Sequence, residues 1–428
     1  MKNTPNASIA HVLLASVIGT TIEFFDFFAY GTAAVLFFPK LFFPASDPTT
    51  ALLQSLATFS VAFFARPFGA ALFGHFGDRT GRKAMLVVSL LTMGACTVLI
   101  GLLPTYASVG ALAPLLLTLA RLGQGIALGG EWAGAVLVAV ENAPAGRRAL
   151  YSAFPQFGSP LGFVLSTAVF YVLTRNLDQD ALLSWGWRVP FLLSFFLVAV
   201  GMYVRVRLSE TPEFMKILDE RRQLAVPLGE ILRTYKRDLV VGTLFGALNF
   251  VLFYLIAIFL LSWGSTKLGY SSSSLLAVSI IGVLCEIAAV PFSGWLSDRI
   301  GARSVLMLSS AGIALCGIFL PSLFERGMDG VLILYVVALT FQGLNYGSVS
   351  TLLAAPFPVE VRYSGTAMTF NLAGIVGGSL VPFIATQLAN NYGLIAIGCY
   401  LSCAALISMA ALTIARPLPV ALEPKTAT

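Results

Sequence analysis

Apolar stretches of spanning length, separated by short polar or charged segments, recur along the whole chain. They fall near residues 10–38, 51–76, 84–103, 111–139, 150–174 and 189–208. After a charged interval they resume near 239–262, 272–296, 304–323, 331–356, 364–388 and 393–415. Crossing ~30 Å of hydrocarbon takes a helix of roughly 20 residues, and each stretch meets that length. The pattern predicts an all-α membrane protein of twelve transmembrane helices. Segment 209–238 contains Pro212, Pro227 and a run of charges from Glu210 to Arg222, and reads as a linker. The expected organisation is a six-helix bundle over 1–208, a cytoplasmic linker over 209–238 and a second six-helix bundle over 239–428.

Composition sharpens this picture. Of 428 residues, 57% are hydrophobic and only 11% are charged, against roughly 25% charged in soluble domains. With a mean hydropathy of +0.87, no water-soluble packing hides so much apolar surface. A soluble enzyme, a secreted disulfide scaffold and a nucleic-acid binder are excluded. The net charge of +6 is a matter of location: 19 of the 26 Lys and Arg lie in alternate loops and the termini, and five in the opposite loops and their edges. This asymmetry predicts that the basic loops and both termini face the cytoplasm. The first apolar run is too long for a cleavable signal and carries Glu23 and Asp26, so it is expected to remain as helix 1. The five cysteines, all in apolar runs without CxxC spacing, are expected to pack as small hydrophobes.

The two halves repeat each other. Gly74-His-Phe-Gly-Asp78-Arg79-Thr-Gly81-Arg82-Lys83 follows helix 2, and Gly294-Trp-Leu-Ser-Asp298-Arg299-Ile-Gly301 follows helix 8, 220 residues later. Gln124-Gly125 recurs as Gln342-Gly343 at an offset of 218, and Glu141 as Glu360 at 219. A constant offset implies parallel repeats that pack as two bundles, with a substrate site between them near the membrane midplane.

On these motifs the chain resembles the major facilitator superfamily over essentially its whole length. Further segments resemble its metabolite:proton symporter family, whose members include shikimate, α-ketoglutarate, citrate and proline/betaine permeases. They are Ile22-Glu23-Phe-Phe-Asp26, Ala65-Arg66-Pro67-Phe-Gly69, Gly129-Gly130-Glu131, Arg207-Leu-Ser-Glu210-Thr211-Pro212 and Pro358-Val-Glu360-Val-Arg362, while Arg121-Leu-Gly-Gln124-Gly125 resembles the superfamily's second motif. Members of that family usually carry Trp-Tyr between the helix-1 acids, where this chain has Phe24-Phe25. The resemblance implies alternating access, and a gating role for Gly74, Asp78, Arg79, Gly81 and Arg82 in a tight cytoplasmic turn, with Asp298, Arg299 and Gly301 as the second copy.

Six ionisable groups lie inside apolar runs: Glu23, Asp26, Arg66, Arg121, Glu131 and Glu286. Each costs roughly 2.5–3.5 kcal/mol at mid-membrane, so they must face the bundle interior, paired or hydrated. Structural ion pairing would explain some of them, but four acids against two arginines leave a surplus negative charge that invites a proton. An organic anion docked on an arginine, whose planar fork suits a carboxylate, shares that arginine's field and makes proton uptake easier; by reciprocity the proton raises anion affinity. Asp26 is the expected coupling acid, with Glu23 and Glu131 as alternates. Arg66 and Arg121 are the expected anion anchors. Glu131, Gln124, Asn249, Tyr254, Gln342, Asn345, Tyr346 and Asn371 are the further candidate ligand contacts, with helix–helix hydrogen bonding the competing role for the amides. Gly125, Gly129, Gly374, Gly377 and Gly378 are expected to permit close helix packing.

The functional expectation is a proton-coupled symporter that imports a small organic acid (a shikimate-like hydroxy-acid, a dicarboxylate or an aromatic acid) across a bacterial inner membrane. Uptake of a zwitterionic osmolyte such as proline or betaine is the alternative, and drug/proton antiport a second. The chain ends about a dozen residues after helix 12, without the coiled-coil extension of the osmoregulatory members, which argues against osmosensing. Nothing resembles a catalytic triad, a metal cluster or a nucleotide loop. The reading is therefore a monomeric transporter, not an enzyme, with no metal, no cofactor beyond the proton gradient, and no nucleic-acid partner.

Overall fold

The computed structural model describes residues 9–80, 82–129, 131–141, 143–144, 146–206 and 227–416. Twelve membrane helices account for most of them. In the first half these are α1 (Ile9–Leu36), α2 (Pro48–Thr80), α3 (Arg82–Leu102), α4 (Leu112–Leu128 and Glu131–Glu141), α5 and α6 (Val189–Val206). Helix α5 starts at Arg148–Ala153, tightens through a 3₁₀ turn at Phe154–Phe157 and continues as Gly158–Asn176. The second half holds α7, α8 (Ser272–Ile300), α9 (Ala302–Phe324), α10 (Met328–Ala354), α11 and α12. Helix α11 runs from Val359–Gly374 into Val381–Ile414; Gly393, at a φ of 73° that L side chains rarely adopt, breaks the latter into the end of α11 and α12. The expected spans are all present, shifted by a few residues at their ends.

Two helices depart from regular geometry where they cross the middle of the molecule. Helix α7 (Lys236–Tyr254, then Leu261–Thr266) carries a π-helical turn at Leu255–Leu260, and α11 one at Ile375–Ser379. The break in α11 has a local cause: Pro382 has no N–H for the carbonyl of Gly378, and its ring crowds the preceding turn. The Ser379 carbonyl at this break accepts from Ser60 of α2, which ties the two halves together.

Within the first half α1 lies on α5 and α6, α2 on α4, and α3 on α4 and α6; within the second, α8 lies on α10, and α9 on α10 and α12. Small residues make the α2–α4 contact close. A Cβ at Gly129 would stand 2.0 Å from the Arg66 carbonyl oxygen, and one at Gly125 2.4 Å from that of Ala62. The halves meet chiefly along α5–α8 and α2–α11. The expected linker lies mostly outside the described residues. Its described end is the short helix Pro227–Thr234, which packs Ile231 against Leu239, Phe357 and Val361.

Two expectations need correction. The first signature motif does not sit in a turn: α2 runs helically through Asp78 and Arg79 to Thr80, because nothing before Gly81 breaks it; Gly81 itself lies outside the described residues. Likewise Asp298 and Arg299 occupy the last turn of α8, and only Gly301, at a φ of 86°, makes the turn. Among the cysteines Cys316 is buried, but Cys399 and Cys403 are exposed on α12, on a surface suited to lipid rather than core packing.

Candidate functional site

Helices α1, α2 and α4 bring both buried arginines to one aromatic cluster. The Arg66 guanidinium lies over the rings of Phe27 (4.6 Å) and Phe63 (4.5 Å); that of Arg121 lies over Phe27 (4.2 Å), Tyr30 (4.2 Å) and Phe59 (4.9 Å). Phe27 thus serves two cations at once. Desolvated cation–π contacts are worth about 2 kcal/mol each, which offsets part of the cost of keeping these charges from water. It does not satisfy their N–H groups. Nε and Nη2 of both arginines find no hydrogen-bond partner among the described residues.

The two arginines nevertheless occupy different surroundings. Arg121 is enclosed in the first bundle, where its Nη1 donates to Gln124 Oε1 (2.9 Å) and Gln124 Nε2 donates to Thr97 Oγ1 (2.7 Å). Arg66 borders a small cavity of about 20 Å³ between the two halves, lined also by Thr20, Glu23, Phe24, Gly129, Trp132, Phe370 and Asn371. The Tyr254 hydroxyl of α7 faces Arg66 from the second half. Of the two arginines, Arg66 is the one that lines this cavity.

The two acids of α1 have different surroundings. Glu23 lines the cavity, whereas Asp26, fully buried, accepts from Ser194 Oγ of α6 (2.9 Å) and its Oδ1 has no partner among the described residues. Three residues along a helix leave two side chains about 60° apart and nearly one turn along the axis, and over that distance α1 passes from the cavity to the α1–α6 seam. Glu131 opens the second segment of α4, but its side chain lies outside the description, as do those of Asp78, Arg79 and Arg82. Glu286 is buried in α8, near Tyr346, with Oε2 unpartnered among the described residues.

The second-half amides divide. Asn249 Nδ2 donates to Asn345 Oδ1 (2.8 Å), Gln342 Nε2 donates to the Asn249 carbonyl (2.9 Å), and Asn345 Nδ2 reaches Ser309 and Ser310. These three cross-link α7, α9 and α10 and do not line the cavity. Asn371 does line it, and its Nδ2 crosses to the first half to donate to the Gly129 carbonyl (3.0 Å). Beside it, Phe370 of α11 stacks on Trp132 of α4 with centroids 3.6 Å apart and planes within 7°. Sequence reasoning missed Phe27, Phe63, Trp132 and Phe370. The one sequence signal for Phe27, Trp132 and Phe370 was adjacency to a charged or polar position already singled out, and Phe63 had none.

At the end that carries the basic loops, α8 meets the start of α5. The Asp298 carboxylate accepts from the backbone N–H groups of Ala149 (2.9 Å) and Leu150 (3.1 Å), the open donors of a helix N-terminus. Gly294 makes the approach possible, since a Cβ there would stand 2.8 Å from Leu150 Cα. Ser152 adds a hydrogen bond to Thr351 of α10 (2.9 Å). Arg299 lies outside this contact, over the Trp295 ring at 4.0 Å. Toward the other end Phe28 and Phe163 meet Phe253, with centroids 5.1 and 5.3 Å away, and Ile258 sits against Gly31. The two halves are thus in contact at both ends of the molecule.

Residues 16–382 match the model of the Major Facilitator Superfamily. The chain is 47% identical to the inner membrane metabolite transport protein YhjE of Escherichia coli K12, covering 96% of this chain and 94% of that one. It is 34% identical to the shikimate transporter of the same organism (92% of each) and 33% identical to the proline/betaine transporter of Salmonella typhimurium LT2 (90% and 79%). The crystal structure of a D-xylose–proton symporter superposes with a TM-score of 0.75 at 18% identity, over 98% of this chain and 100% of the other.

Proposed function

The chain belongs to the Major Facilitator Superfamily and is a multi-pass membrane transporter of metabolites, not an enzyme; from that premise we propose that it is a proton-coupled symporter importing a small organic acid. One observation carries this reading. Arg66 is buried to 3% exposure beside a small cavity between the halves, with two guanidinium nitrogens unpartnered among the described residues. An unpaired buried donor on a cation is costly, and a carboxylate arriving there repays that cost with two parallel charge-assisted bonds.

Asp26 is the proposed proton site. Its carboxylate, held by Ser194 and enclosed with Arg121 in the first bundle, sits apart from the anion anchor. Proton and substrate then act on one bundle without competing for the same contact. Asp298 on the α5 N-terminus is the proposed latch of the basic-loop end, which the loop charges orient to the cytoplasm. We place the protein as a monomer in a bacterial inner membrane with cytoplasmic termini. Zwitterion uptake is the second reading, favoured by Glu286, a buried carboxylate in the opposite half.

Proteoliposomes with an imposed inward proton gradient test the proposal. Labelled carboxylic acids should accumulate above equilibrium and collapse with a protonophore. Accumulation of betaine or proline alone would replace the substrate class, and acid uptake indifferent to the gradient would remove the coupling.

A further inference from the structure

The Trp132–Phe370 pair is placed where a substrate body would have to go. The two rings come from opposite halves, both line the cavity that Arg66 borders, and they lie face to face at 3.6 Å, the thickness of one aromatic ring, with almost no tilt. Face-to-face overlap is the least favoured arrangement of two rings, since their negative faces oppose each other. The pair is nevertheless fixed in register. Trp132 Nε1 donates to Gln156 Oε1 (2.9 Å), and Asn371, next in sequence to Phe370, bonds the Gly129 carbonyl (3.0 Å). Gly129 is in turn pressed against the Arg66 backbone, so the slot and the anchor are set in one rigid corner.

We propose that Trp132 and Phe370 form an aromatic clamp, and that the substrate is a flat, ring-bearing carboxylate whose ring slides between them while its carboxylate meets Arg66. This rests on the anion-anchor reading above and narrows it. Parting the halves by one further ring thickness, about 3.5 Å, opens a slot for a planar body; the guest then replaces one poor ring contact with two and can adopt the offset stacking that rings prefer. A saturated ring is thicker and presents C–H edges without a π face. Asn249, Gln342 and Asn345 bond one another and α9 and do not line the cavity, which leaves Thr20, Glu23 and Asn371 as the polar side chains that line it besides Arg66. Phe24 adds a bare ring to the same wall.

Benzoate and cyclohexanecarboxylate, equal in charge and similar in outline, are the probes. Their affinities are measured by calorimetry on the purified full-length protein. Wild type should bind benzoate at least tenfold more tightly. Phe370→Leu should reduce that preference below threefold, while Trp132→Phe, which keeps a flat ring but loses the Gln156 bond, should retain most of it. Equal affinities in wild type, with Arg66→Lys still weakening both acids, would overturn the clamp and leave the anchor standing. Binding of neither acid, or of both regardless of Arg66→Lys, would overturn the anchor and the clamp together.

Discussion

Replacing Asp298 with alanine tests the latch between the halves. In the closed arrangement its carboxylate accepts two backbone N–H bonds, from Ala149 at 2.9 Å and Leu150 at 3.1 Å. Bonds to a charged group contribute about 1.5–3 kcal/mol each when buried. Asp298 is only half-buried, so solvent screening reduces the pair to about 2 kcal/mol in total. No carboxylate–amide contact remains once α8 leaves α5, so the whole of this is differential and shifts the closed–open equilibrium by about thirtyfold. Spin labels at Arg148→Cys and Ile300→Cys, in a cysteine-free background, report the separation of the two helix ends by electron–electron resonance. The ratio of long- to short-distance populations should rise about thirtyfold in Asp298→Ala. Asp298→Asn, which keeps a carbonyl acceptor but loses the charge, should fall between. An unchanged distance distribution in the alanine variant would refute the latch.

Arg66→Lys keeps the charge and loses the planar fork, so carboxylate affinity measured by calorimetry should fall at least tenfold, about 1.4 kcal/mol, in a correctly inserted protein. Asp26→Asn removes the titrating group while retaining a partner for Ser194. Gradient-driven accumulation should disappear while substrate exchange across proteoliposomes persists, and wild-type accumulation would move the proton to Glu23 or Glu131. Gly129→Ala places a methyl 2.0 Å from the Arg66 carbonyl and 2.6 Å from Ala70 N. It should destabilise by about 1–3 kcal/mol, read as a lower melting temperature in detergent, whereas Gly134→Ala, whose methyl meets only the Tyr363 ring edge at 3.3 Å among the described residues, should not.

What could be read from the sequence follows from what membrane insertion constrains. Span length and the glycines between spans are dictated by the bilayer and by backbone sterics, so the twelve helices were legible to within a few residues. The cost of an intramembrane charge likewise singled out Arg66, Arg121 and the acids. Facing was not legible. In α7, Val241 to Leu261 is buried on nearly every side, so no apolar stripe tells whether Asn249 faces the cavity or a neighbouring helix. The amides of Asn249, Gln342 and Asn345 looked equally suited to ligand and to helix contact, and only their mutual distances decide between the two. Trp132 and Phe370 are 238 residues apart and ordinary in a chain with 33 phenylalanines, so their stacking had no sequence signal. The last turns of α2 and α8 were mistaken for loops because charge density resembles a loop, although neither Asp78 nor Asp298 interrupts a helix.

The separation of Asp26 from Arg66 bears on how coupling can work. Asp26 is bonded to α6, and Arg66 opens onto the cavity, yet Phe27, the residue after Asp26, lies under both the Arg66 and the Arg121 guanidinium. Arg121 is in turn joined through Gln124 to Thr97 of α3. Any shift of α1 that follows a change at Asp26 therefore moves the ring that packs under Arg66, the proposed anion anchor. Protonation of Asp26 removes a negative charge from the first bundle and leaves two buried cations less compensated, which raises the bundle's affinity for an anion at its open face. Anion binding at Arg66 does the converse, as linkage requires. Coupling of this kind needs no contact between proton site and substrate. It needs a buried helix whose successive side chains face the proton, the two arginines and the cavity, and the run Glu23-Phe-Phe-Asp26-Phe27 supplies these in five residues.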